Sequence, residues 1–173
     1  GVQTCALPIY IFVSVATNLN PWMIACRSQE LPVGKPLAVT IENRPLVLFR
    51  DAAGAPVALE DRCAHRNTPL SIGEVKNGLL HCAYHGWSYG ADGRVCVVPA
   101  LPKGADCMHS VRRYHAVEQD GFVWMALSEA APDTKPLAFP YLNEPDWTSF
   151  TMKTRFQASV DSCLDRKSTR LNS

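Results

Sequence analysis

The chain has 173 residues, 47% of them hydrophobic and 19% charged, and a formal net charge of +1. That length suits one domain with a real core and the start of a second. The charge balance excludes the strong field of a nucleic-acid binder or of a protein held on an anionic membrane.

The elements follow in chain order. Residues 1–9, "GVQTCALPI", and residues 166–173, the end of "DRKSTRLNS", resemble translated sequencing-adapter read-through and are expected to lie outside the fold. Arg166, Lys167 and Arg170 fall in that tail, and without them the charge balance turns acidic. The early stretch "CALPIYIFVSVA" lacks the basic start and cleavage site of a signal peptide. No apolar run is long enough to span a bilayer.

Short strands separated by turns are predicted from about Trp22. "WMIACR" reads as the first strand. "PLAVTI" alternates apolar and polar residues, and "RPLVLFRD" follows after the polar break "ENR". "DAAGAPVALED" places a glycine turn between two β-rich runs, the pattern of a hairpin. "NGLLHC" leads into a loop rich in metal-binding residue types. Asp92-Gly93 in "WSYGADGRVCVV" and Asp120-Gly121 in "YHAVEQDGFVWMAL" are further hairpin turns. Strands at this spacing predict an all-β antiparallel sandwich or small barrel. Prolines at 132, 136, 140 and 145 then stiffen an extended stretch that reads as an interdomain linker. "FTMKTRFQASVDSCLD" reads as a strand leading towards a helix. The expected organisation is a domain over 10–127, a linker over 128–146 and the first strand of a second, α+β domain over 147–165. No internal repeat or low-complexity tract interrupts it.

Seven cysteines, an odd number without a repeating frame, argue against a secreted disulfide scaffold. Reduced thiols in the cytoplasm, some holding metal, are expected instead. Cys63 and His65 sit one residue apart in "CAHRNTPL"; Cys82 and His85 sit two apart in "CAYHGW". Thiolate suits iron–sulfur clusters and zinc, and imidazole suits iron, zinc and copper. Two four-ligand centres fit: a structural zinc, or a Rieske [2Fe–2S] cluster, in which two histidines replace two cysteines on one iron. Zinc fingers pair like with like, whereas each loop here carries one of each. Mixed loops let each reach both metals of a two-iron cluster. Cys63 and Cys82 would then bind the inner iron, and His65 and His85 an outer one nearer the surface.

The wording "CAHRNTPLSIGEVKNGLLHCAYHGW", extended by "GKPLAVTIENRPLVLFRDAAGAPVALEDRCAHR" and "ADGRVCVVPALP", resembles the Rieske domain of Rieske non-haem iron oxygenases over about residues 22–127. In flavour it is similar to the α subunits of the vanillate demethylase and phthalate dioxygenase type. The resemblance implies a Rieske β-sandwich with two cluster-binding loops and a lower-potential cluster, since neither loop has the extra cysteine of the respiratory Rieske disulfide. It implies electrons from an NAD(P)H-dependent reductase or ferredoxin and a homotrimeric full-length parent. A mononuclear iron held by two His and a carboxylate would lie in the parent's catalytic domain, beyond Asp165. A small aromatic substrate would be hydroxylated, dihydroxylated or demethylated there, and neither nucleic acid nor membrane is a partner. The fragment alone would then be inactive. Asn67 stands where the family usually has Gly, and Ala83 where it often has Pro; neither removes a ligand. A stand-alone Rieske ferredoxin and a structural zinc module are the alternatives.

Other residues have plainer readings. Strand alternation turns His81 away from the cluster. Cys107 and His109 lie in a surface loop, and His115 in a strand. Cys26, Cys96 and Cys163 read as small apolar core residues. Trp87 and Tyr89 either shield the cluster or fill the core, and Arg66 either guides a redox partner or is simply solvated. Family position argues against Asp161 and Asp165 as iron ligands.

Overall fold

The computed structural model describes residues 20–102, 107–142, 144–152, 154 and 157. Among them ten strands form two antiparallel sheets, in agreement with the all-β expectation. The larger sheet holds β1 (Met23–Arg27), β2 (Leu37–Ile41), β3 (Arg44–Arg50), β4 (Pro56–Glu60), β9 (Arg113–Gln119) and β10 (Phe122–Ala126) in the order β1-β10-β9-β4-β3-β2. The smaller holds β5 (Glu74–Lys76), β6 (Leu79–His81), β7 (Ser88–Tyr89) and β8 (Val95–Val97) in sequence order.

β4 and β9 pair directly, Ala58 opposite Tyr114 and Leu59 opposite Arg113. Everything between them is therefore an excursion from one edge of that pair. Both cysteine–histidine loops and the whole small sheet lie within it.

Strand alternation divides the interior. In β3 and β4, Val47, Phe49, Val57 and Leu59 face the excursion and pack with Leu70, Leu80 and Tyr89. Leu46, Leu48 and Ala58 face the other way, onto Cys26, Leu31, Val123 and Met125. That is why "LVLF" is apolar without a break: the strand is covered on both faces. The opposite face of β10 presents Trp124 and Phe122, which cluster with Trp22.

Turn chemistry explains the hairpins. Asp120 and Gly121 both have positive φ, 55° and 77°, as a two-residue hairpin turn requires. Asn77 and Gly78 do the same at 52° and 75° and join β5 to β6. From sequence this stretch shows only as the approach to a loop, because β5 is three residues long. Glu42 and Asn43 also take positive φ between β2 and β3.

Arg50 ties the elements together at the turn end of β3. Its guanidinium donates to the carbonyls of Leu31, Gly54 and Ser28 and grips the Glu118 carboxylate at 2.7 and 3.1 Å. That pairing holds Glu118 below the ordinary carboxylate range and Arg50 above its usual value.

One expectation needs correction. Cys96 is exposed, because the short strand β8 turns Val95 inward and Cys96 outward. The proline-rich stretch lies against the domain. Trp22 Nε1 donates to the Thr134 carbonyl at 2.6 Å, and Phe139 packs on Phe122 and Trp124. Residues 147–152 form no strand. Asp161, Cys163 and Asp165 of the expected second-domain element lie outside the described residues, as do both suspected terminal scars.

Candidate metal centre

The two loops share one backbone frame. In the first, Cys63 N–H donates to Thr68 O at 2.8 Å and Asn67 N–H to Cys63 O at 2.9 Å. In the second, Cys82 N–H donates to Trp87 O at 2.8 Å and Gly86 N–H to Cys82 O at 3.0 Å. Each loop thus closes from its cysteine to the residue five positions on. Each needs a left-handed residue at the fifth place of that turn. Asn67 takes φ 56° and Gly86 φ 71°. Asn is among the few side chains that adopt this conformation readily, so the departure from glycine leaves the turn intact.

This frame sorts the four side chains by depth. Cys63 and Cys82 are buried, 2% and 3% exposed. His65 and His85 are exposed, with ring centroids 4.7 Å apart. Cys63 lies near enough to act on the Cys82 thiol. Burial pushes the Cys82 thiol up, while backbone hydrogen bonds from Tyr84 and His85 pull the other way. His65 is held below the ordinary imidazole value, first by desolvation and then by His85, Arg66 and His109. A neutral imidazole is the form that binds metal.

The arrangement separates a sulfur pair from a nitrogen pair. A single zinc ion needs its donors about 2.0–2.3 Å from one point. Thiolate and imidazole donors of this kind suit zinc and iron alike.

Aromatic side chains complete the surroundings. Trp87 stacks on His65, with centroids 4.8 Å apart and planes within 4°. Tyr89 is fully buried, and its hydroxyl lies 3.0 Å from Cys63 Sγ. The Ala64 N–H donates to that same hydroxyl oxygen at 2.9 Å. This leaves the phenolic proton free to point at sulfur. Burial, reinforced by Cys63, pushes the Tyr89 hydroxyl well above its usual value. It therefore stays a donor through the neutral range. Packing alone, one of the two readings from sequence, does not account for that contact.

Other candidates fall into place. His81 is half-buried, with Nδ1 2.8 Å from Ser88 Oγ. His115 Nε2 meets the Glu129 carbonyl at 3.2 Å. Arg66 is exposed and near enough for its charge to act on His65. His109 is closer to the centre than its place in a distant loop suggests, its ring 5.6 Å from Trp87. The Arg94–Ser110 bridge carries it there, and no local signal announces such a pairing. Cys107 and His109 line a groove of about 340 Å³ with Trp87, Leu101 and Met108.

The sequence pattern of the Rieske [2Fe-2S] domain matches residues 21–117, more than half of the chain. The chain belongs to the Rieske [2Fe-2S] domain family. The match runs through both sheets and both loops. Among relatives, the putative iron-sulfur subunit of a toluene-4-sulfonate monooxygenase system from Comamonas testosteroni is 35% identical over 155 residues, covering 84% of this chain and 43% of that protein. The vanillate O-demethylase oxygenase subunit of a Pseudomonas species is 35% identical over 158 residues, covering 84% and 42%. The crystal structure of apo dicamba monooxygenase superposes with a TM-score of 0.61 at 36% identity, covering 66% of this chain and 36% of that one. The chain thus spans less than half the length of these relatives. No helix among the described residues is long and apolar enough to cross a membrane.

Proposed function

We propose that this chain is the electron-transfer part of a Rieske oxygenase component, with Cys63 and Cys82 on one iron and His65 and His85 on the other. The observation that carries the reading is the sorting of the four side chains by two loops of one frame: a buried pair of thiols beneath an exposed pair of imidazoles. When bound, a [2Fe–2S] group supplies one-electron transfer, at about −150 to +300 mV for the Rieske type.

The chain's own residues set the terms. Buried thiols keep water from the sulfur side. Tyr89 donates to Cys63 Sγ, which favours the more negative, reduced state. Trp87 covers one face of His65 and helps fix the ring. The exposed imidazoles face the direction from which a redox partner arrives.

Relatives named as oxygenase and monooxygenase subunits support the wider proposal. The domain over 10–127 would feed a mononuclear iron in a catalytic domain that follows the 128–146 segment. Electrons would come from an NAD(P)H-dependent reductase or ferredoxin in the cytoplasm, and the parent would act on a small aromatic substrate as a homotrimer.

Anaerobic purification of the chain, with iron and acid-labile sulfide analysis, tests the ligand set. The expected result is a red-brown protein with about two irons and two sulfides per chain, lost in Cys63→Ala and His85→Ala. A colourless protein holding zinc would contradict it.

A further inference from the structure

Two loops that bind one cluster must be held at a fixed separation, yet they lie on different strands. Cys63 follows β4, and Cys82 follows β6. A short path of close contacts joins their bases. The Asp61 backbone N–H donates to Pro45 O at 3.1 Å, anchoring Asp61 to β3. Its carboxylate accepts two hydrogen bonds from one residue, Ser71 N–H at 2.7 Å and Ser71 Oγ at 2.6 Å. Ser71 sits in a single 3-10 turn, Leu70–Ile72, which Gly73 closes by donating to Leu70 O at 3.0 Å. Gly73 in turn lies flush against β6. A Cβ there would sit 2.0 Å from the His81 carbonyl oxygen. The backbone at Gly73 is extended, so space rather than conformation requires the glycine. His81 is the residue before Cys82.

We propose that Asp61, Ser71 and Gly73 form a spacer that sets the distance between the two ligand loops, with Asp61 as its positioning residue. The inference rests on the ligand reading given above. None of the three needs to touch the cluster. The carboxylate fixes where the 3-10 turn sits over the end of β4. The bare glycine then lets β6 close against that turn. Removing either contact frees Cys82 to drift relative to Cys63 without removing a ligand.

The test uses the full chain with its cluster in place. Asp61→Ala deletes both bonds, Ser71→Ala deletes one, and Ser71→Thr keeps the hydroxyl. Glu118→Gln serves as a control, since its partner Arg50 sits at the opposite end of the β3–β4 hairpin from the ligand loop. The readouts are the g values of the reduced cluster and the rate of iron loss to a ferrous chelator. Asp61→Ala and Ser71→Ala should shift the g values and speed iron loss about tenfold or more. Ser71→Thr should restore both readouts, and Glu118→Gln should leave the g values unchanged. If the parent chain shows a Rieske signal and both alanine variants match it in g values and iron loss, the spacer is overturned and the ligand reading stands. If the parent chain shows no [2Fe–2S] signal, the ligand reading falls and the spacer with it.

Discussion

The two ligand loops close through the same pair of backbone hydrogen bonds, yet they differ at two places. The first puts its histidine at the third residue of the turn and Asn at the left-handed position; the second puts its histidine at the fourth and Gly there. The shared frame explains why both cysteines end up buried: each is the first residue of a turn that follows within three residues of a strand. The one-residue offset explains how two copies of the frame present their histidines differently. Position 86 is also crowded, since a Cβ there would meet Pro99 Cγ at 3.2 Å, whereas position 67 already carries a side chain.

The largest expected effect comes from breaking either loop at its ligand. Cys63→Ala and His85→Ala should each lose the cluster entirely, as read by iron and sulfide content. Retention in one variant would show that the loops are not equal partners. Next comes the left-handed position. Gly86→Ala should cost about 1–2 kcal/mol from backbone strain alone, with the Pro99 contact adding to it. Asn67→Gly should stay within about 0.5 kcal/mol of the parent. Chemical denaturation of the loaded chain measures both, and equal costs would mean that the frames are not alike.

A smaller change should follow from Tyr89→Phe, which acts on the first loop only. It removes the donor to Cys63 Sγ and the acceptor of the Ala64 N–H. If the bond favours the reduced state by roughly 1 kcal/mol, the midpoint should fall by about 40 mV. A rise on protein-film voltammetry would mean that the hydroxyl does not donate to sulfur.

Smallest is Glu118→Gln, far from both loops. Glu118 is partly exposed, so its ion pair is worth at most about 1 kcal/mol. Its carboxyl is held below the ordinary value by Arg50, so the folded state favours the charged form. The contribution is full above the unfolded carboxyl value and fades as pH falls through the lowered folded one. The gap between parent and variant in urea should therefore close in acid. A gap that widened there would contradict the pairing.

What the sequence discloses is mostly local. Asp120-Gly121 and Asp92-Gly93 announce their hairpins because only a few residues tolerate the turn angles. The ligand loops are legible for the same reason: their chemistry lies within a few residues. Asn77-Gly78 carried an equal turn signal, but the three-residue strand before it is too short to show alternation. Cys96 is exposed despite its residue type because register on a three-residue strand decides which side chain turns inward. The approach of His109 to Trp87, the Tyr89–Cys63 bond and the seating of Phe139 on Trp124 join segments far apart in the chain. Only the folded sheet brings those groups together.

The most direct test of the ligand assignment is pulsed electron–nuclear double resonance on the reduced chain grown with nitrogen-15 histidine. The predicted spectrum contains two strongly coupled histidine nitrogens, whose couplings change from nitrogen-15 to nitrogen-14 when the histidine is left unlabelled. A paramagnetic cluster without histidine coupling would mean that sulfur alone holds the iron, and the division of buried thiols from exposed imidazoles would have another cause.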